Sequence, residues 1–448
     1  MNGVMSRVVL GIYSGLMRLA QPPLRRKLAR RAVQEPGYGE AAGERFGCYT
    51  QPPEGTSSLV WVHAVSLGET RTAAILLDRL RAHYPGLRIL LTHGTATGRA
   101  EGKLLLRPGD VQVWQPWDSR SVVTKFFNHF KPRLGLLMET EVWPCLVAGA
   151  QARRIPLVLV NGRLSAKSLQ QAQMLSALAY PAYSALTAVY AQSPADAERY
   201  RQLGAAAVGV FGSLKFDAAP NPDQQAVGKA WRKALDQPVI MFASSRDGEE
   251  ALFIEQIVAT AQQKLGQKAP VLIAIKYLIV PRHPQRFAEV EALVIKHGLK
   301  LSRRSTWLAS PSDSSQAMQA DVWLGDTLGE MPLYYGLADA ALLGGSFEKL
   351  GGQNLIEAAA CGCPVVMGPH TFNFTEAAEL AEAAGAAQRA TSMAGAVAWA
   401  AQCASNVDQQ SRMSQAATKF AASHQGAARR TADALATYLS DSTPSADR

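Results

Sequence analysis

From Leu59 onward, short apolar runs recur between polar turns and longer stretches of helical spacing. Leu59–Val65, Arg88–Thr92, Leu134–Met138, Pro156–Val160 and Thr187–Ala191 each read as a strand, most of them followed by a polar or Gly-bearing turn and then a helix. A Pro-rich polar break at Ala219–Gln225 (APNPDQQ) interrupts the pattern, which restarts with Val239–Ala243, Val271–Val280, Asp321–Leu324, Ala340–Leu343 and Val365–Met367. Such alternation predicts parallel, doubly wound α/β sheets. Domains of about 100–200 residues make two of them the natural division of this length. The predicted parts are an N-terminal helix and basic flank (1–31), a first Rossmann-like domain (32–218), a linker (219–230), a second Rossmann-like domain (231–440) and a polar tail (441–448). Two such domains facing each other leave a cleft for ligands. Within each sheet, ligands bind outside the carboxyl ends of the strands, so the turns there carry the chemistry. In the first domain these are Ser66-Leu67-Gly68-Glu69, His93-Gly94-Thr95, Glu139-Thr140-Glu141 and Asn161-Gly162-Arg163.

Composition narrows the classes. The chain is 48% apolar and carries a formal charge of +10, but its Lys and Arg are scattered and form no long basic run with interleaved aromatics. That argues against a nucleic-acid partner and leaves a solvated basic surface, an anionic lipid or an anionic substrate. Five cysteines without framework spacing point to a reducing compartment. The eight histidines show no ligand pair, so no metal is expected.

Near the N-terminus, Val8–Leu19 is an apolar run broken by Arg18 and followed by Arg25, Arg26, Lys27, Arg30 and Arg31. A bilayer core needs about 20 apolar residues. Three readings stay open: a span, with everything downstream cytoplasmic; a helix lying in the membrane interface; and a soluble helix packed on the body.

The stretch Ala338–Phe374 is organised as a strand, a Gly-rich loop (Gly344, Gly345, Gly351, Gly352), a helix opening at Asn354 and a further strand. Asn354 followed by Glu357 caps that helix, leaving its first N–H groups facing a loop where a phosphate fits. Ordinary strand-to-helix chemistry is the competing explanation.

Six separated motifs carry a family resemblance. WVHAVSLGE (Trp61–Glu69), METEVWP (Met138–Pro144), GSLKFD (Gly212–Asp217), VPRHPQRF (Val280–Phe287), GDTLGE (Gly325–Glu330) and GGQNLIEAAACGCPVVMGPHTFNF (Gly351–Phe374) resemble, in order, the lipid A 3-deoxy-D-manno-octulosonic acid (Kdo) transferases. The resemblance implies a GT-B glycosyltransferase with an acceptor-binding first domain and a donor-binding second one. It also implies CMP-Kdo as donor, a lipid A precursor (lipid IVA) as acceptor, inversion at the anomeric carbon, and work in lipopolysaccharide biosynthesis at the cytoplasmic face of the inner membrane. CMP-Kdo is then a substrate, and no cofactor is expected.

Forming a glycosidic bond requires a base for the acceptor hydroxyl. Glu69 matches the family's base, although Ser66-x-x-Glu69 is also a capping box, and the carboxylate can serve both uses. Glu139 and Lys215 match the other catalytic positions, Lys215 answering charge that develops on the leaving phosphate. Pro281, Arg282, Leu328, Gly329, Glu330, Asn354, Leu355, Ile356 and Glu357 match CMP-contacting positions. The chain departs from the family pattern at Arg246 and Gln353, where His is usual, and in the length of the strand around Lys276-Tyr277-Leu278. A sugar-nucleotide epimerase of the same architecture and a membrane-tethered nucleotide-binding module are the alternatives.

Overall fold

The computed structural model describes residues 3–53, 59–265 and 275–439. The polar tail expected at 441–448 lies outside the described residues, as do the first positions, 271–274, of the expected strand Val271–Val280. The chain forms two compact units, one running to Asp217 and completed by the returning segment from Gln425, the other Ala218–His424.

In the first unit the strands are β1 (Leu59–His63), β2 (Arg88–His93), β3 (Val111–Trp114), β4 (Leu134–Met138), β5 (Leu157–Gly162), β6 (Ala188–Ala191) and β7 (Val208–Val210). They pair in parallel in the order β3-β2-β1-β4-β5-β6-β7. Both faces are covered, as parallel sheets require. Val60, Val62, Leu136 and Val158 turn to a core shared with Leu76 and Leu77 of the helix Leu67–His83 and with Ala428, Ala432 and Leu435 of the returning helix Ala427–Leu439. Trp61, Leu137 and Leu159 turn the other way, onto Phe126, Phe127 and Phe130. Gly135 on β4 makes room for the Trp61 indole, because a Cβ there would stand 2.8 Å from its ring and 2.4 Å from Leu157 Cδ2.

The second unit repeats the plan with β8 (Val239–Ser245), β9 (Lys276–Pro281), β10 (Leu301–Arg303), β11 (Val322–Leu324), β12 (Ala340–Leu343), β13 (Val365–Met367) and β14 (Ala387–Arg389). Their parallel order is β10-β11-β9-β8-β12-β13-β14. The segment read as a linker, 219–230, is largely the helix Pro222–Lys233. It lies backbone to backbone on the helix Met331–Leu337: a Cβ on Gly228 would stand 2.0 Å from the Leu333 carbonyl oxygen, and one on Gly336 2.6 Å from that of Gln225. The return of Ala427–Leu439 to the first unit moves the second unit's end from the expected 440 to His424.

In each sheet the connections of two neighbouring strands diverge toward opposite edges, at β1/β4 in the first and β8/β12 in the second. At such switch points the turns diverge and leave a crevice.

The N-terminal helix Gly3–Leu19 packs Leu10 and Tyr13 on the first unit's aromatic core. Trp117 Nε1 donates to the Met17 carbonyl at 2.5 Å, and the Arg120 amide donates to Ser14 Oγ at 2.9 Å. Among the described residues no helix is long and apolar enough to cross a membrane, so the spanning reading of Val8–Leu19 is not met. The helix Gly3–Leu19 is short and carries Arg7 and Arg18.

Candidate active site

In the first unit the β1/β4 crevice gathers three residues expected from the sequence. Ser66 caps the helix Leu67–His83 by accepting from the Glu69 amide at 3.2 Å. The Glu69 carboxylate folds back to accept from the Val65 amide at 2.9 Å and from Ser66 Oγ at 3.0 Å. The cap is therefore real, but the group remains chemically poised. Burial first, then the neighbouring Glu141 and Glu139 charges, push its pKa up to about 7 against the pull of the Val65 and Ser66 hydrogen bonds.

Glu139 follows β4 with φ at 54°, a left-handed backbone that a non-Gly residue rarely adopts and that clusters at functional sites. Its strained turn is held by Tyr200, whose hydroxyl donates to the Glu139 carbonyl at 3.0 Å. Lys215 Nζ stands 3.3 Å from Glu139 Oε1. Asn161, at the irregular carboxyl end of β5 and also left-handed (φ 55°), bridges the two: its Nδ2 approaches Glu139 Oε1 at 3.4 Å and its Oδ1 accepts from the Leu214 amide at 3.0 Å, one residue before Lys215. Sequence reasoning placed Asn161 in a turn and missed this clamp. The available signal was an Asn at a strand end, where αL backbone is tolerated.

Glu141 was not singled out either. Burial raises its pKa, and Trp143 Nε1 donates to it at 2.8 Å. Beside it lies His63, fully buried, with Nδ1 on Thr92 Oγ1 at 2.7 Å and Nε2 at 3.9 Å from Glu141 Oε2. Burial and the adjacent His93 push the His63 pKa down to about 3, so the imidazole is neutral and the contact is no ion pair.

In the second unit the expected donor-side residues lie at or beyond the carboxyl ends of β9, β11 and β12. Pro281 closes β9, and the Arg282 amide donates to the Ser245 carbonyl at 3.0 Å. The pKa of His283 is lowered by burial and then by the cations Arg246, Arg282 and Arg286. Arg286 is itself matched by Asp247, Glu250 and Glu289. After β11, Leu328 is 74% exposed and the Gly329 carbonyl accepts from Gln224 Nε2 at 3.0 Å. Glu330 accepts from Arg304 at 3.0 Å and from the Thr327 hydroxyl. Asn354 caps the helix Leu355–Ala360 by accepting from the Ile356 amide at 3.1 Å. Leu355 and Ile356 are buried, which leaves their backbone rather than their side chains to meet a ligand.

The Gly-rich loop differs from a bare phosphate cradle. The amides of Gly345, Phe347 and Glu348 donate to Glu249 at 2.7, 3.0 and 3.4 Å, and the Gly352 amide donates to the Gly345 carbonyl at 2.6 Å. Ser244, at the β8 bulge, is a third left-handed non-Gly residue at a strand's carboxyl end (φ 55°). A Cβ on Gly344 would lie 2.2 Å from its carbonyl oxygen, so only glycine permits this approach. Among the described residues no group of His, Cys, Asp and Glu side chains is arranged to hold a metal ion.

Comparison with known proteins identifies the family. A profile of the family described as 3-Deoxy-D-manno-octulosonic-acid transferase (kdotransferase) matches residues 40–218. The chain is 46% identical over 436 residues to the 3-deoxy-D-manno-octulosonic acid transferase of Bordetella pertussis, covering 96% of this chain and 99% of that one. It is 33% identical over 374 residues to the enzyme of the same name from Haemophilus influenzae, covering 81% and 83%. Among solved structures, a glycosyltransferase from Rickettsia africae superposes with a TM-score of 0.55 over 88% of this chain and all of that one, at 12% identity, a likeness of fold alone. The two parallel-sheet units are thus GT-B-like in fold, and the epimerase and non-catalytic alternatives give way to the sequence relatives. The chain is a glycosyltransferase and belongs to the 3-deoxy-D-manno-octulosonic acid transferase family.

Proposed function

We propose that this enzyme transfers Kdo from CMP-Kdo to a lipid A precursor (lipid IVA) in lipopolysaccharide synthesis, with inversion at the anomeric carbon and Glu69 as general base. The observation that carries the reading is Glu69, a residue 9% exposed at the β1/β4 switch point, whose carboxyl pKa is pushed up to about 7 chiefly by burial. A base is most effective when its pKa lies near the working pH. In this scheme Glu69 takes the proton of the acceptor hydroxyl as that oxygen bonds to the anomeric carbon of Kdo. The bond from that carbon to the CMP phosphate oxygen breaks, and CMP departs with the electron pair. Lys215, aligned by Glu139 and Asn161, answers the negative charge of the transition state. Arg282 is assigned to the CMP phosphate. Leu328–Glu330 and Asn354–Glu357 are assigned to the rest of the nucleotide.

An acceptor embedded in lipid requires the enzyme to work at a membrane surface, here assigned to the cytoplasmic face of the inner membrane. Supporting this, Met5, Val8, Ile12, Leu16 and Leu19 are all exposed, spaced three and four residues apart along one flank of the N-terminal helix. Arg26, Lys27 and Arg30 on the next helix, Gln21–Gln34, are exposed as well. An apolar flank beside cations suits an in-plane helix at an anionic interface.

Mass spectrometry of lipid IVA incubated with CMP-Kdo and the purified enzyme tests the proposal. The expected result is acceptor carrying added Kdo, formed with release of CMP. Unchanged acceptor under conditions where a homologous enzyme is active would overturn it.

A further inference from the structure

Glu249 follows the Arg246-Asp247-Gly248 turn after β8 and opens the helix Glu249–Leu265. It is wholly buried, and its carboxylate accepts four backbone N–H groups: Arg246 at 3.0 Å and Gly345 at 2.7 Å on Oε2, Phe347 at 3.0 Å and Glu348 at 3.4 Å on Oε1. The Arg246 contact is the local bond of a helix N-terminus. The other three reach nearly a hundred residues along the chain, across the β8/β12 switch point.

These contacts connect two of the donor-side elements of the second unit. Ser245, next to Arg246, accepts from the Arg282 amide. Gly345, held by Glu249, accepts through its carbonyl from the Gly352 amide, two residues before Asn354. One carboxylate therefore links the end of β9, which presents Arg282, to the loop that presents Asn354–Glu357. Successive N–H groups in such a turn make an anion-binding concavity, and here the protein fills it with its own anion.

We propose that Glu249 is a positioning residue for the nucleotide donor: its carboxylate acts as a built-in anion that locks the Gly344–Glu348 turn and thereby sets Arg282 and Asn354 in register. The proposal rests on the reading of the second unit as the CMP-Kdo site. Neutral glutamine, of the same shape, fails in this role, because its NH2 group would meet backbone N–H donors where only acceptors fit.

Two measurements test it, and they separate its failure from failure of the donor reading. Hydrogen exchange on the wild-type enzyme, which needs no ligand, should show the amides of Gly345, Phe347 and Glu348 strongly protected, and Glu249→Gln should release them together with those of 352–357. Rapid exchange of the first three in the wild type would overturn the proposal. In calorimetry with CMP, Glu249→Gln and Glu249→Ala should weaken binding by about 10–100-fold, the loss expected from hydrogen bonds to a charged group. Formate should restore part of the affinity in Glu249→Ala by refilling the amide concavity, and acceptor KM should be unchanged in both variants. A Glu249→Gln enzyme with wild-type affinity and protection would show that shape alone suffices and would sink the idea. Wild-type enzyme that does not bind CMP would refute the donor reading, while the exchange result would still decide whether Glu249 locks the turn.

Discussion

A carboxyl with a pKa near 7 divides the activity profile at neutral pH. In the proposed scheme Glu69 acts as a base only when deprotonated, so kcat/KM should fall as pH drops through about 7. Because the Glu141 charge is one cause of the upward shift, Glu141→Gln should move that limb to lower pH; a stationary or rising limb would show that Glu69 does not control it. The same shift has a stability sign. A carboxyl whose folded pKa is raised from 4.5 to about 7 favours the fold below the lower value and loses that contribution as pH rises to the upper one. Glu69→Gln should therefore match or exceed the wild-type Tm at pH 8, having removed a buried charge, and lag it at pH 5 by no more than an ordinary polar substitution. Gly135 offers a packing test. Overfilling a tight core costs about 1–3 kcal/mol, and Gly135→Ala, driven into Trp61 and Leu157, should lower stability by that amount in chemical denaturation without altering CMP affinity.

At the scale of elements, the strands that the hydrophobic pattern predicts are those inside the two sheets. The four it omits, β3, β7, β10 and β14, are the four sheet edges. The physical reason is burial. An interior parallel strand is covered on both faces and becomes a continuous apolar run, as in Leu134–Met138, whereas Val208–Val210 and Ala387–Arg389 are short and partly exposed. Site residues followed the same logic. Glu69, Glu139 and Lys215 were singled out because they lie in motifs that resemble the family's, and the structure brings them together in the first unit. Asn161 and Glu249 act through contacts with residues far along the chain, which no local spacing reports. The N-terminal helices invite a test of their own. Each exposed cation near an anionic surface contributes about 1 kcal/mol. Removing residues 1–31 should release the enzyme from vesicles and slow transfer to vesicle-borne acceptor more than to detergent-dispersed acceptor. High salt should release part of the intact enzyme, since surface charge attraction is screened within about 8 Å at physiological ionic strength while apolar insertion is not. Continued vesicle binding by the truncated chain would place the main anchor elsewhere.

For the whole molecule, the chain leaves its first unit at Asp217 and comes back to it at Gln425. The return is anchored where the Asp217 carboxylate accepts from the amides of Gly426 and Ala428. It also completes the core with the buried side chains of Ala428, Ala432, Leu435 and Leu439. Ending the chain at His424 should destabilise the first unit selectively, with exposed apolar surface and loss of transfer activity, while CMP binding by Ala218–His424 survives. Loss of CMP binding in that truncation would mean that the donor unit depends on the return. The central claim is that the buried carboxyl at the β1/β4 crevice is the base for Kdo transfer. Its most direct test is the single-turnover rate of Kdo transfer by Glu69→Gln beside the wild type, at saturating CMP-Kdo and lipid acceptor. General bases contribute about 10²–10⁴-fold, and a fall of that size with CMP affinity intact is the predicted result. Turnover near the wild-type rate would reduce Glu69 to a helix cap and contradict the account.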